Sequence, residues 1–186
     1  MIILEKARWR AHCRAYRAGL SEGRYRALSA RIVAHLLHLP EWTSASVVAL
    51  YRPLRDRREV DIGPLFSEAW AQGKTVLVPV IEAEGLRWAA VNPETRWRPG
   101  PYSIEEPESS SAPPSAPELI VVPALGADRR GYRIGYGRGY YDRLLAGEEG
   151  FTVAPVYAAC VTDRLQAEAH DVPVRALVTE EGVWRP

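Results

Sequence analysis

Long apolar runs are missing from this sequence, and so are the cysteine and histidine patterns of disulfide scaffolds and metal centres. No stretch approaches the ~18 consecutive apolar residues that a membrane-spanning helix requires. The opening MIILEKARWR becomes charged after a short apolar start and lacks the apolar core of an export signal, so the expected compartment is the cytoplasm. The two cysteines, Cys13 and Cys160, are too few for a disulfide framework and have no C-x-x-C spacing, so we expect reduced, packed thiols. The four histidines show no metal-ligand spacing, and no Ser-His-Asp or Cys-His set is evident. Charge of one sign is also lacking. A formal net charge of +1 supplies no global field toward nucleic acid or an anionic membrane, so neither is an expected partner. Any anion site must come from local clustering.

What is present fits one globular domain over residues 1–186, with 47% hydrophobic and 25% charged residues. A helix is expected over Leu4 to Arg17, closed by Gly19. Ser21 is placed to cap a second helix, with Glu22 in its first turn and Tyr25, Leu28, Ile32 and Leu36 on its buried face. Pro40 stops that helix. Strands are expected at Val47 to Tyr51, Thr75 to Val80, Leu86 to Val91, Leu119 to Val122, Thr152 to Tyr157 and Ala176 to Thr179. Helices are expected over Ile62 to Gln72, with Gly73 after it, and over Tyr140 to Leu145. Leu119 to Val122 is apolar at every position, the pattern of a strand covered on both faces in a parallel sheet. The alternation gives an α/β fold. Pro107 to Glu118, PESSSAPPSAPE, reads as a surface connector within the domain.

The informative stretch is LIVVPALGADRRGYRIGYGRGYYDR, Leu119 to Arg143. A buried strand leads into Gly131, Gly135, Gly137 and Gly139, and then into a helix. Such a loop lets backbone N–H groups approach a phosphate closely. The spacing is G-x-G-x-G, which is neither the Walker A pattern nor the dinucleotide fingerprint, so a plain glycine-rich turn fits it equally. Arg138 could pair with phosphate oxygens. Asp142 could hold Mg²⁺ through one carboxylate, or could simply be a charge at a helix terminus. Tyr136, Tyr140 and Tyr141 suit a planar heterocycle, and suit core packing as well. On the first helix, Lys6, Arg10, Arg14 and Arg17 share one arc; taken alone, that is a solvated face.

The run DRRGYRIGYGRGYYDRLL resembles the signature of the 5-formyltetrahydrofolate cyclo-ligase family, also called 5,10-methenyltetrahydrofolate synthetases. The likeness extends through Lys6 and Arg10 with the RAGLS that follows, the EVD of Glu59 to Asp61, GPYSIEEP from Gly100, and HDVP from His170. The family commonly has glycine where Ser103 stands. The resemblance implies a three-layer α/β/α domain with a mostly parallel central sheet. It implies ATP as co-substrate with Mg²⁺, bound by Lys6, Arg10, Gly135, Tyr136, Gly137, Arg138, Gly139, Tyr140 and Asp142, with the metal on Asp142. It implies a reduced folate held by Tyr51, Glu59, Tyr102 and Tyr141, with Glu59 accepting from the pterin edge. Arg138, Tyr141 and Asp142 are the implied catalytic residues. Arg14 and Arg17 gain no role from it, and neither does His170.

The implied reaction is ATP-dependent ring closure to 5,10-methenyltetrahydrofolate by a monomer acting on small molecules. Two other readings stay open. One is an α/β enzyme that uses the glycine loop for a sugar phosphate without ATP, and the other is a ligand sensor that keeps the pocket without turnover.

Overall fold

The computed structural model describes residues 5–83, 85–137 and 139–186. In chain order the helices are α1 Lys6–Ala18, α2 Glu22–Leu37, α3 Pro40–Ser44, α4 Gly63–Ala71 and α5 Tyr140–Leu145. The strands are β1 Val47–Ala49, β2 Thr75–Glu82, β3 Gly85–Val91, β4 Trp97–Pro99, β5 Glu105–Pro107, β6 Leu119–Val121, β7 Gly126–Asp128, β8 Arg133–Ile134, β9 Phe151–Pro155, β10 Val161–Thr162, β11 Ala176–Thr179 and β12 Gly182–Trp184.

Seven strands form the central sheet in the order β12-β11-β9-β6-β1-β2-β3. The five inner strands run parallel, and only the edge strands β3 and β12 pair antiparallel. The α/β class and the mostly parallel sheet are as expected. β1 and β6 are buried at every residue, because strands flanked on both sides and covered on both faces have no polar side. Helices α2 and α4 pack on each other and on β11 and β2. Ser21 caps α2, its side chain accepting from Arg24 N at 3.2 Å.

Pro40 does not end α2. That helix closes at Leu37, and Pro40 opens the short α3, where its fixed φ and missing N–H suit a first helical position. The β4–β5 hairpin, the small β10-β7-β8 sheet and β12 were not among the expected strands. The proline- and serine-rich stretch is largely exposed and is tied to the sheet edge by one bridge, Ala90 to Ser111. Among the described residues, no helix is long and apolar enough to cross a membrane.

Chain direction across the sheet reverses between β1 and β6. From β1 the chain moves outward to β2 and β3. It then returns to β6 on the other side of β1 and continues outward through β9 and β11. Connections therefore leave the two central strands in opposite directions. That opens a crevice beyond their C-terminal ends, the usual ligand position in such sheets.

Candidate active site

The crevice is a cavity of about 520 Å³. Its floor comes from the residues that leave β1 (Tyr51, Arg52, Leu54) and β6 (Pro123, Ala124, Leu125), as the strand order requires. α1 forms one wall. It docks on β7 and on the 3₁₀ turn Ala158–Cys160, with Trp9 Nε1 donating to Cys160 O at 3.1 Å. The approach is close: a Cβ at Gly126 would sit 2.7 Å from Cys13 Sγ. Cys13 and Cys160 are buried free thiols, as expected.

This docking turns the basic face of α1 inward. Lys6, Arg10 and Arg14 line the cavity, and Arg17 is only 2% exposed. The solvated reading of that face holds for Arg14, which is exposed, and fails for the buried Arg17, because tertiary packing and not helix geometry decides which part of an arc meets water. Lys6 Nζ pairs with Asp171 Oδ2 at 2.5 Å, and Glu168 lies 3.7 Å away. Arg10 Nε donates to Gly135 O at 3.2 Å, tying α1 to the glycine loop.

The loop fills the next wall. Gly137 and Gly139 have φ of 93° and 64°. A Cβ on Gly135 or Gly137 would meet nothing within 4 Å; the positive φ accounts for glycine at Gly137, while Gly135 simply leaves its backbone open to the cavity. Arg138 lies outside the described residues. Asp142 lies on the short α5. Its Oδ1 accepts from Arg133 Nη1 at 3.1 Å and from Val172 N at 3.1 Å. Its Oδ2 has no hydrogen-bond partner among the described residues. Arg133 is 8% exposed and also donates to Val172 O at 2.8 Å, so it fixes the carboxylate from behind. The other acid of the segment, Asp128, is fully buried. It accepts from the N–H groups of Arg130, Tyr132 and Leu165, which makes it a scaffold for the loop.

The opposite wall holds Glu59, 3% exposed. A 3₁₀ turn, Arg55–Arg57, ends at Arg58 with φ 50°, and the reversal points Glu59 inward. Glu59 N donates to Leu54 O at 3.2 Å, and Leu54 N donates to Glu59 Oε2 at 2.9 Å. Three buried tyrosine hydroxyls then hold successive carbonyls: Tyr157 donates to Arg58 O at 2.9 Å, Tyr25 to Glu59 O at 2.9 Å and Tyr51 to Val60 O at 3.0 Å. Tyr51 was expected to touch substrate. Its ring reaches the cavity, but its hydroxyl is committed to the backbone. Burial pushes the Glu59 carboxyl above its ordinary range, opposed by Arg17, the Leu54 N–H, Tyr136 and Arg57.

The aromatic residues complete the enclosure. Burial, with the Glu59 charge adding to it, holds the half-buried Tyr141 hydroxyl well above its usual titration range, so it remains a donor. Tyr136 is pushed up to about 12, chiefly by burial, and the Arg57 guanidinium lies 5.4 Å over its ring. Tyr102 is 42% exposed at the rim, its ring 6.5 Å from that of Tyr140. Tyr102 and Ser103 have φ of 61° and 65°, a left-handed pair without glycine. His170 lines the rim beside Glu168 and Asp171.

The cavity lining includes Lys6, Arg10, Tyr51, Glu59, Tyr102 and the segment residues Gly135 to Gly137 and Gly139 to Asp142, whereas Gly131 packs away from it against Val174. The structure adds Arg17, Arg57, Arg133 and Asp171. Arg17 had a visible signal, since it shares the arc of Lys6 and Arg10. Arg133 and Asp171 lie within the quoted signature run and HDVP but gained no role there, and Arg57 had no signal, because contacts across the fold leave no local pattern.

The family model for the 5-formyltetrahydrofolate cyclo-ligase family matches residues 3–180. The 5-formyltetrahydrofolate cyclo-ligase of Escherichia coli K12 is 28% identical over 180 residues, covering 92% of this chain and 98% of the relative. The mouse 5-formyltetrahydrofolate cyclo-ligase is 24% identical over 173 residues, covering 83% and 81%. The NMR structure of Aquifex aeolicus 5,10-methenyltetrahydrofolate synthetase superposes with a TM-score of 0.85 at 37% identity, covering 97% of this chain and 92% of that one. A Mycoplasma pneumoniae 5,10-methenyltetrahydrofolate synthetase shares the fold at a TM-score of 0.72 and 20% identity, covering 94% and 98%. With a family-model match across nearly its whole length, the chain belongs to the 5-formyltetrahydrofolate cyclo-ligase family.

Proposed function

We propose that this chain catalyses the ATP-dependent cyclisation of 5-formyltetrahydrofolate to 5,10-methenyltetrahydrofolate, releasing ADP and phosphate. The observation that carries the proposal is one cavity with two chemically distinct walls, a buried carboxylate opposite a glycine loop and basic helix face.

Glu59 receives the pterin edge. Each carboxylate oxygen already has one protein donor and keeps room for an N–H from the ligand. Tyr102 covers the folate at the rim. Lys6, Arg10 and the loop from Gly135 to Gly139 take the triphosphate, with Arg138 and Tyr140 as further nucleotide contacts. Phosphate oxygens replace Asp171 as the partner of Lys6.

The formyl oxygen attacks the γ-phosphorus. An O–P bond forms and ADP departs with the electron pair of the broken P–O bond. Tyr141, still protonated, donates to the formyl oxygen and orients it. N10 then attacks the formyl carbon and loses its proton. The C–O bond breaks, and phosphate leaves with the former formyl oxygen. No protein nucleophile is required. The site works by alignment and by neutralising charge on the moving phosphoryl group.

Among the described residues, no group of three His, Cys, Asp or Glu side chains could hold a metal by itself. Mg²⁺ carried by a nucleotide needs less, since water and phosphate oxygens fill most of its shell. Asp142 fits that requirement through its uncommitted Oδ2. When bound there, Mg²⁺ would neutralise phosphate charge. The partners are two small molecules, and a monomer in the cytoplasm belongs to the same proposal.

Mixing the protein with Mg-ATP and 5-formyltetrahydrofolate tests the reading. We expect the near-ultraviolet band of the methenyl product to grow with equimolar ADP. Binding of both ligands without turnover would indicate a sensor, and binding of sugar phosphates with no effect of ATP would indicate the other alternative.

A further inference from the structure

Arg17 sits in the core behind the cavity, is not among its lining residues, and reaches it only through Ala124 and Tyr136. Its Nη2 donates to Ala124 O at 2.6 Å, and its Nη1 donates to the Tyr136 hydroxyl at 3.2 Å. Tyr136 in turn donates to Glu59 Oε1 across a long 3.5 Å. Its guanidinium also lies 5.9 Å from the centre of the Tyr157 ring, one of the three rings that clamp the Glu59 backbone. Arg17 Nε is buried without a hydrogen-bond partner among the described residues. Burying a guanidinium with an unmet donor is unfavourable, and such a group calls for a reason beyond packing.

We propose that Arg17 is a positioning residue for the folate subsite, holding the Glu59 carboxylate ionised and oriented through its own charge and the Tyr136 hydroxyl. The proposal rests on the reading of Glu59 as the pterin acceptor. A carboxylate can take two N–H donors from a ligand edge only while it is ionised. Glu59 is almost wholly out of water, and burial alone drives it toward the neutral acid. The groups that face it are Arg17 from α1, Arg57 from the 3₁₀ turn, Tyr25 from α2, Tyr51 beyond β1, and Tyr136 and Tyr141 from the glycine segment. Two of the six are cationic. Arg57 is the more exposed and stacks on the Tyr136 ring, which leaves Arg17 as the buried counter-charge. Burial works against the charged guanidinium of Arg17, but the Glu59 charge, first among the groups that oppose burial, helps hold it above its ordinary value.

The test is the affinity of 5-formyltetrahydrofolate without nucleotide, measured calorimetrically from pH 5 to 9. In the unaltered protein, affinity should fall as acid protonates Glu59. In Arg17→Met, Glu59 becomes harder to ionise. The fall should then begin about one pH unit higher, with the difference growing to about tenfold weaker binding at the acid end of the range. KM for ATP and kcat at saturating folate and high pH should change far less. Arg17→Lys should restore most of the shift. Tyr136→Phe removes one hydroxyl from a half-exposed side chain and should move the profile the same way, by about threefold. If Arg17→Met does not fold, Tyr136→Phe carries the decision. Profiles of Arg17→Met and Tyr136→Phe, where folded, that superpose on the unaltered protein would overturn the proposal and leave Arg17 a packing residue. Glu59→Gln separates the two levels. If it leaves folate affinity unchanged, the pterin reading itself fails. If it abolishes the pH dependence while the Arg17 and Tyr136 variants do not shift it, only the role of Arg17 fails.

Discussion

The two walls of the cavity are built on opposite principles. The Glu59 wall is prefabricated. Three tyrosine hydroxyls hold the carbonyls of three consecutive residues, and a reciprocal pair of bonds links Leu54 and Glu59. The glycine-loop wall is held mainly at its ends, by the bonds of Asp128 before it and by the contact of Asp142 with Arg133 and Val172 after it. Between those anchors the backbone is exposed at Gly135 and Gly137, with open space beside both. A rigid wall suits recognition of one flat heterocycle by a fixed carboxylate. An open, anchored loop suits a flexible triphosphate whose charge must be met by many N–H groups at once.

The sharpest way to break this contrast is at the loop's rear anchor. Asp142→Asn keeps the shape and removes the charge. We expect kcat/KM to fall about 100-fold or more, with loss of the response to added Mg²⁺, at a circular-dichroism spectrum like that of the unaltered protein. Activity within a fewfold would reduce Asp142 to a tether for Arg133. On the rigid wall, Glu59→Gln should raise the dissociation constant for the folate by about 10- to 100-fold, the range for a lost charged hydrogen-bond acceptor. KM for ATP should stay nearly constant, and a rise in both would mean that the walls do not act separately. Gly135→Ala sharpens the comparison from the other side. The position has an ordinary φ and no neighbour for a methyl group to strike. Its melting temperature should therefore be preserved while KM for ATP rises severalfold, and an unchanged KM would show that no ligand approaches there. The smallest effect is expected at the rim. Ser103 sits at φ 65° where a side chain is disfavoured by about 1–2 kcal/mol. Ser103→Gly should stabilise the fold by about 1 kcal/mol or less, once the added chain entropy is set against it; urea denaturation would reveal it.

The same contrast decided what could be read from the residues alone. β1 and β6 were legible because a buried parallel strand is apolar at every position, β2, β9 and β11 because their runs are mostly apolar and rich in β-branched residues, and α2 announced itself through Ser21 and a periodic face. β4, β5, β7, β8 and β12 are two or three residues long, too short for any periodicity to register. The loop wall was legible because its chemistry is local: glycines, tyrosines and an aspartate lie within one segment. The Glu59 wall was named through family likeness, but its construction was not visible. The three clamping tyrosines come from α2, the end of β1 and the residues after β9, and no spacing connects them. Arg17 shows the limit most clearly. Its helical arc was evident, yet periodicity cannot say whether an arc faces water or a buried carboxylate. The pairing of Lys6 with Asp171 joins residues 165 positions apart and leaves no trace in either neighbourhood.

If the formyl oxygen of the folate is the atom that takes up the γ-phosphoryl group in this cavity, its fate is traceable. Substrate carrying ¹⁸O in the formyl group, turned over with unlabelled ATP, should release inorganic phosphate bearing one ¹⁸O for each methenyl product formed. Phosphate without that label, or with its fourth oxygen drawn from labelled solvent instead, would contradict the direct attack on which the two-walled site depends.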